Sequence, residues 1–590
     1  MATRSSAIFI SSMPTSTDLW EKQNLIEKLK AEKKAGNELQ ARKHIDWNEN
    51  YELYRNKVKT NRLTQRQAVN IPLMKETVKT LLSKIDEPPI CDWKELGGEE
   101  DKELLYQEIW DSSFRDGKLE LIDIKDKKNV LLYGIGTKKL NITTDGVVID
   151  ALDVYDVVFD PMMSVANVES ARFIVHKNIF RSLREILADD RYTDEGKAAL
   201  KIWIESPQGI TQSNANKEQW ELKMKRLQEM GVKNSDFPLF AGGDRIVNLT
   251  EHYSTMWNTT ANKWERCVYV YADDEVLLLN DKLKNLIGIE LWPFTVWVED
   301  PETTDMYSDA VADLVRTPNK IINVWFSQLI ENRTLKNFQM HWFAPAQGYT
   351  PQTYTPGPGV MLPAPPLQQG QGISDVIKPV EISGLDDTFE AIQILTQIVE
   401  RGTGAVALEK GQPEKGSQTL GEVQILVGKA MERAVSMATF YRMSWYETCV
   451  KWDALMHANA PKIIKLYKQG RSGKMYMKNV YKSDWKSDAG YRPLIVSSSE
   501  REQEGIKQIQ KFMFLLTQFP NNMALKKIAQ KRMVESVDLS PDEQKQIEDA
   551  ENAPPPTAAA SPSTPAPAAP AANQPDPTQM QDLISQLAAS

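Results

Sequence analysis

Gly411-Gln-Pro-Glu-Lys-Gly416-Ser417 has the glycine spacing of a phosphate-binding loop. Such a loop cradles phosphates on backbone N–H groups and needs a lysine after the second glycine to meet the β- and γ-phosphates. Here Ser417 follows Gly416 directly and no strand-like run precedes the loop, so ATP hydrolysis is not expected from it. Gly134-Ile-Gly136 reads as following a strand, Val130 to Gly136, and leading into more strand. A dinucleotide pyrophosphate needs a helix N-terminus, so a tight turn is the better reading. The five histidines, His44, His176, His252, His341 and His457, show no paired metal-ligand spacing and read as surface or core filler. Asp273, Asp274 and Glu275 lie between two strand-like runs and read as a solvated turn. Asp305, Asp309 and Asp313, spaced by four, would share one helix face and read as a solvated row. Phe440, Tyr441, Trp445, Tyr446 and Trp452 could stack on bases, but an aromatic stripe at helical spacing is far more often helix packing. No catalytic residue, metal site or cofactor is expected.

These residues sit on an alternation of helical and strand-like stretches. Residues 1–17 read as a flexible arm. A helix-rich stretch runs from Asp18-Leu-Trp-Glu21, which has capping-box spacing, to about Leu82, before Pro88 and Pro89; another helical piece spans about Glu99 to Phe114. From about Leu119 to 300 the pattern reads as mixed α/β with antiparallel strands, among them Gly146–Asp150, Asp153–Phe159, Arg245–Trp257, Trp264–Tyr271 and Glu275–Leu279. Ser182-Leu-Arg-Glu185 opens a helical insertion with capping-box spacing. Thr317-Pro318 can start or kink a helix whose apolar face holds Ile321, Ile322, Trp325, Phe326, Leu329 and Ile330. Residues 343–382, rich in Pro, Gly and Gln, are too proline-rich for a helix and too long for a routine connection. Helix returns at Asp387–Arg401, with Gly402 suited to its C-terminal cap. Thr419-Leu-Gly-Glu422 opens a helix that meets no proline before Pro461 and would run about 60 Å. Strands follow at Lys474–Tyr481 and Tyr491–Val496, then a helical region opened by Ser499. From Asn552 to Pro577 the chain is nearly all Ala, Pro, Ser, Thr, Asn and Gln, a composition expected to stay disordered, before a short amphipathic end at Met580, Leu583, Ile584 and Leu587.

The bulk properties narrow the class. The chain has 590 residues, 41% hydrophobic and 26% charged, enough for several packed units. Its net charge of −9, from 71 basic and 80 acidic residues, argues against a protein that grips nucleic acid through a basic surface. It is compatible with one that surrounds DNA without holding it. Cys91, Cys267 and Cys449 are far apart in sequence, which is neither a disulfide framework nor a thiol-rich metal site and fits a reducing compartment. No signal peptide or membrane-spanning run is visible, so no membrane association is expected.

The order of parts resembles the portal protein of a tailed bacteriophage, the head-to-tail connector. The resemblance covers roughly residues 20–550. It rests most on Asn70-Ile-Pro-Leu-Met-Lys-Glu-Thr-Val-Lys-Thr-Leu-Leu82, Asp309-Ala-Val-Ala-Asp-Leu-Val-Arg-Thr-Pro-Asn-Lys-Ile-Ile-Asn323 and Gly416-Ser-Gln-Thr-Leu-Gly-Glu-Val-Gln424. It implies an α+β, mainly helical subunit. The wing would span 18–302, stem helices 303–342 and 384–402, and the clip 343–383. A tunnel loop would follow at 402–418, then the long wing helix and strands at 419–496, a small helical crown at 497–550 and the Ala/Pro tail at 551–590. It further implies a homo-dodecameric ring at one capsid vertex of the virion, assembled in the host cytoplasm. The ring would be a passive channel for packaging and ejecting double-stranded DNA, without sequence specificity. The terminase large subunit, which supplies ATP hydrolysis, would dock on the clip during packaging. Tail or adaptor proteins would follow it, with the major capsid protein around the ring. In the tunnel loop, Glu409, Lys410, Glu414 and Lys415 are the residues expected to touch DNA; in the clip, Tyr349, Gln352 and Tyr354 are those expected to meet partners. Two other readings share part of the pattern: a capsid-associated scaffold or adaptor that closes no ring, and an ATP-driven packaging enzyme, against which the missing lysine after Gly416 argues.

Overall fold

The computed structural model describes residues 16–57, 69–85, 90–143, 146–165, 167–229, 240, 243–258, 262–301, 305–337, 341–343, 369–370, 377–379, 387–403, 420–469 and 475–496. Three helices open it, α1 (Ser16–Ala41), α2 (His44–Tyr54) and α3 (Leu73–Lys84). The strand β1 (Ile90–Glu95) precedes α4 (Glu100–Asp116) and α5 (Leu119–Tyr133). The hairpin β2 (Gly136–Thr143) and β3 (Gly146–Ala151) leads to β4 (Val157–Phe159) and β5 (Phe173–Ser182). A helical insertion follows, α6 (Leu183–Ala188), α7 (Asp194–Glu205) and α8 (Pro207–Glu229). The chain then returns through β6 (Ile246–Asn258), β7 (Lys263–Ala272), β8 (Val276–Lys282), the short α9 (Leu283–Ile287) and β9 (Phe294–Trp297). Next come α10 (Val311–Asn337), β10 (His341–Phe343), β11 (Ile377–Pro379), α11 (Asp387–Thr403) and the 40-residue α12 (Leu420–Asn459). The hairpin β12 (Ile463–Gln469) and β13 (Met475–Tyr481), α13 (Lys482–Trp485) and β14 (Tyr491–Val496) complete the described residues.

All the described strand pairs are antiparallel, which makes this an α+β fold. The largest sheet has the order β4-β5-β6-β7-β8, and a second has β3-β2-β9. The others are the pairs β10-β11, β12-β13 and β1-β14. The large sheet is covered on both faces. Leu200, Ile204, Val247 and Leu278 form a small core with the helical insertion, and Leu29 of α1 packs on Tyr269 and Tyr271. The main core gathers Trp47, Trp93, Tyr106, Trp110, Trp292, Trp297, Tyr441, Trp445, Trp452 and Trp485.

Several expectations hold. The Ser182–Glu185 capping box is formed: Glu185 N donates to Ser182 Oγ at 3.2 Å and Ser182 N to Glu185 Oε2 at 3.1 Å. Asp273 and Asp274 take left-handed φ values of 51° and 59° in the expected β7–β8 turn, but Asp273 is not solvated: its carboxylate accepts from Asn216 Nδ2 at 2.9 Å, Asn248 N at 3.0 Å and Trp203 Nε1 at 3.2 Å. The expected strands from 245 to 279 are β6, β7 and the start of β8.

Others need correction. The strand expected at Val130–Gly136 is helix up to Tyr133, the end of α5, and β2 begins only at Gly136. Val130, Leu131, Leu132 and Tyr133 are all buried, so the last turn of α5 is enclosed on every side and its apolar run shows no helical period. Gly134, at φ 82°, is the left-handed cap of that helix, not a turn between strands. Within 153–159, Val154–Asp156 is a 3-10 turn and Val157–Phe159 alone is strand. The helix expected to start at Asp18 begins at Ser16. Thr317-Pro318 does not start a helix, because α10 begins at Val311 and carries Pro318 inside it. Asp305 and Asp309 therefore precede α10 and share no helix face with Asp313. Gly402 is not the cap of α11, which continues to Thr403. The strands β1 and β12 were not anticipated.

Candidate assembly interface

Tyr349, Gln352 and Tyr354 of the expected clip, and Glu409, Lys410, Glu414 and Lys415 of the expected tunnel loop, lie outside the described residues. So do 1–15, 404–419 and 497–590, which hold the expected arm, the Gly411–Ser417 loop, the crown and the tail. The described residues do give the helices from which the two expected loops are suspended. The chain leaves along α10 and returns beside it along α11. Their adjoining strands pair, His341 opposite Pro379 and Phe343 opposite Ile377. Phe389, in the first turn of α11, meets Phe326 of α10 edge-on at 6.5 Å between ring centroids.

Helix α11 carries apolar residues on two faces. Ile392, Leu395, Val399 and Thr403 follow the i, i+3, i+4 spacing of a single face, and these pack inward. Ile394 and Ile398, four residues apart on a different face, are 50% and 53% exposed, and Phe389 is 53% exposed. Leu314 and Val324 of α10 and Met443 and Tyr446 of α12 are exposed as well. An isolated surface leucine needs no explanation, whereas Ile394 and Ile398, one turn apart on the outer face of α11, make a small apolar strip of the kind an interaction surface uses. Sequence reasoning missed Ile394 and Ile398. The available signal was that they fall off the 392/395/399 row in a helix with no other reason for extra isoleucines.

Helix α12 is bolted to the core by buried charges. Tyr441 Oη donates to Asp123 Oδ1 at 2.5 Å, and Trp445 Nε1 donates to the same oxygen at 3.2 Å. Lys127 pairs with Asp123 at 2.6 Å. Lys138 pairs with Asp126 at 2.8 Å and donates to Ser444 Oγ at 3.0 Å, while Trp297 Nε1 donates to Asp126 at 2.6 Å. Further along α12, Lys451 donates to the Phe294 carbonyl at 2.5 Å and pairs with Glu169 at 2.9 Å and Glu447 at 2.8 Å. Burial raises the Asp123 carboxyl above its ordinary range although Lys127 opposes the shift. Tyr441, Trp445 and Trp452 are thus core residues, which removes them as a base-stacking platform.

The N-terminus of α10 is held by charge too. Asp313 Oδ2 accepts from Ala310 N at 2.8 Å, Asp313 Oδ1 pairs with Arg316 at 2.8 Å, and Lys43 donates to Asp309 at 2.7 Å. Burial pulls Lys43 down, but Asp309 outweighs it and holds the lysine above its ordinary value. The expected acidic row is therefore a cap and a set of ion pairs.

A second polar cluster joins the two larger sheets. Lys139 donates to Glu251, Tyr253 Oη donates to Glu251 at 3.0 Å, and Lys139 lies 3.2 Å from His176 Nδ1. Burial lowers His176, and Lys139 lowers it further. A carboxyl and an imidazole both held low, beside a lysine, would suit proton transfer if a substrate could reach them. A cavity of about 750 Å³ among the described residues lies elsewhere, between α2, α8 and Lys320 of α10, and none of these groups lines it. Among the described residues no group of three or more His, Cys, Asp or Glu side chains is arranged to hold a metal, and no helix is long and apolar enough to cross a membrane.

No family model and no curated protein matches the chain. Among solved structures it is similar to a chain of the neck of an empty GTA particle computed with C6 symmetry. The identity is 10%, the match covers 78% of this chain and 90% of that one, and the TM-score is 0.37. A likeness at that level establishes neither fold nor function.

Proposed function

We propose that this chain is the subunit of a portal ring, a head-to-tail connector through which double-stranded DNA passes in both directions. The observation that carries the reading is the out-and-back helix pair α10/α11, which joins the expected clip to the expected tunnel loop and leaves Phe389, Ile394 and Ile398 half-exposed. A closed ring repeats one face of the subunit against a different face of the next copy. Burying a large apolar side chain is worth about 1.5–3 kcal/mol, so half-exposed side chains repeated at each contact supply on the order of a few kcal/mol per interface. The order of parts along the sequence is the second support.

The channel reading follows from charge. Duplex DNA carries about one charge per 1.7 Å, and each phosphate neutralised by the protein adds affinity and so friction. Twelve subunits, each with a net charge of −9, would let DNA slide rather than bind. Glu409, Lys410, Glu414 and Lys415 would touch the duplex with mixed, isolated charges. Tyr349, Gln352 and Tyr354 would meet the terminase motor and later the tail or adaptor proteins. ATP hydrolysis belongs to the motor in this scheme, and the ring itself performs no chemistry.

Native mass measurement of the purified chain, paired with negative-stain images, tests the proposal. The expected result is a particle near twelve times 66.9 kDa with a central hole. A ring of another count would keep the conduit and correct the number. A monomer that hydrolyses ATP would overturn the reading.

A further inference from the structure

The hairpin β12–β13 carries a charge opposite to that of the chain. Between Pro461 and Lys486 the sequence has eight lysines and arginines and one acidic residue, Asp484, in a protein whose net charge is −9. The two strands form a sheet of their own, an antiparallel ribbon. Its inner face closes on the core through Leu466 and Val480, which are buried. Its outer face pairs Ile463 with Tyr481 and Lys465 with Asn479, and all four are exposed. Lys462, Lys478 and Lys486 are exposed as well. Among the described residues no carboxylate lies within ion-pair reach of Lys462, Lys465, Lys478 or Lys486, whereas Lys451 of α12 is held by two. Asp484 is taken up by the turn, where it accepts from Tyr481 N at 3.0 Å and Ser483 Oγ at 3.0 Å. Helix α4 packs against β12, but its Glu103 is held by Lys94, and Glu99 by Lys102.

We propose that the β12–β13 ribbon is an arm that holds duplex DNA by its phosphates, without reading sequence, through Lys462, Lys465 and Lys478. Charges beyond about 8 Å are screened at physiological ionic strength, so a phosphate at the ribbon meets the local lysines and not the net charge of the chain. Unopposed lysines are the groups that contact phosphates, and Asn479 and Tyr481 on the outer face add neutral donors of the kind that bind the same oxygens. The major groove of DNA admits a two-stranded ribbon. Lysine is depleted where protein meets protein, which favours nucleic acid over an acidic protein surface. Helix α12 is 40 residues long, so the ribbon stands about 60 Å along it from residue 419. The inference does not rest on the portal reading; in a ring, this arm would grip DNA outside the channel.

The test measures binding of the full chain to a fluorescent mixed-sequence duplex of about 30 base pairs, by anisotropy, at about 50 and 200 mM salt. The wild-type chain should bind at low salt and lose affinity steeply as salt rises. The triple change Lys462→Ala, Lys465→Ala and Lys478→Ala should weaken binding about tenfold or more at low salt. It should also flatten the slope of log affinity against log salt by about two to three, as the loss of three phosphate contacts requires. Arginine at the same positions should keep both affinity and slope. A control with the same loss of charge, Lys79→Ala, Lys201→Ala and Lys217→Ala on α3, α7 and α8, removes three exposed lysines elsewhere and should bind as the wild type does. Closed circular DNA, which cannot thread a formed ring, should compete as well per phosphate as linear DNA. Equal binding by the two triple variants, or competition by linear DNA alone, would overturn the proposal. So would a wild-type chain that ignores DNA but binds a poly-glutamate peptide through the same lysines, which would assign the ribbon to an acidic protein surface.

Discussion

Asp126 and Lys138 are both fully buried, so each depends on the other and on Trp297 and Ser444 for every polar contact it has lost from water. Removing one member leaves an uncompensated charge, which costs about 3–5 kcal/mol. Asp126→Ala should therefore lower the free energy of unfolding by about that much in a denaturant titration. The double change Asp126→Leu with Lys138→Met should recover much of the loss, because both charges leave together. Glu251 makes a prediction in pH. Burial pushes its carboxyl up, but Lys139 and His176 reverse the push and hold it well below its ordinary 4.5. A depressed carboxyl contributes stability that is present above its unfolded value and lost as pH falls through its folded one. The thermal midpoint should thus hold above about pH 5 and fall below it. Glu251→Gln should flatten that fall and lower the midpoint at neutral pH. Asp160 and Glu169 act with the same sign, each held low against burial, Asp160 by Arg172 and Glu169 by Lys451 and Arg266. Asp123, raised by burial, acts against them.

At the scale of elements, Gly134 decides where α5 stops. It sits at φ 82°, and a Cβ there would come within 2.2 Å of the Ser308 carbonyl oxygen. Gly98 has a similar φ of 84° with nothing within 4 Å. Gly134→Ala should cost more than the roughly 1–2 kcal/mol of left-handed strain, because backbone must move, whereas Gly98→Ala should cost the strain alone. Comparing the two thermal midpoints checks this. The same helix shows what could be read in advance. The strands of the large sheet are rich in β-branched and aromatic residues and bounded by turn residues such as Asp273 and Asp274, so their bounds from 245 to 279 were legible. So was the 40-residue α12, because nothing between Thr419 and Pro461 interrupts it. Helix α5 was not legible: its last turn is buried all round and its first turns expose Leu121 and Ile124, so no clean polar stripe reveals its period. The strand β1 escaped because its pairing partner lies at the other end of the described chain. Of the interface, the inward row of α11 was legible as helix, but Ile394 and Ile398 acquire meaning only once the inward row is known.

At the scale of the whole molecule, the outer face of α11 is the element on which assembly depends in the portal reading. Ile394→Asp with Ile398→Asp should lower the monomer's thermal midpoint only slightly and keep its helical signal, since both side chains are half-exposed. It should convert the ring to monomers in native mass spectra. Rings that survive the double change would remove this face from the interface.

The pairing of β1 with β14 sets a schedule for synthesis. Glu95 lies opposite Tyr491 and Ile90 opposite Val496, about 400 residues apart, and at roughly 5–20 residues per second the ribosome takes about 20–80 s to deliver the second strand after the first. Throughout that interval β1 is an open edge beside the hydrophobic wall of Trp93, Tyr106 and Trp110, the kind of surface that recruits other strands. Nascent chains crowded on one message share the exposure. Strand β14 therefore closes the edge of β1, and a chain that stops short of Val496 carries that edge unpaired out of the ribosome.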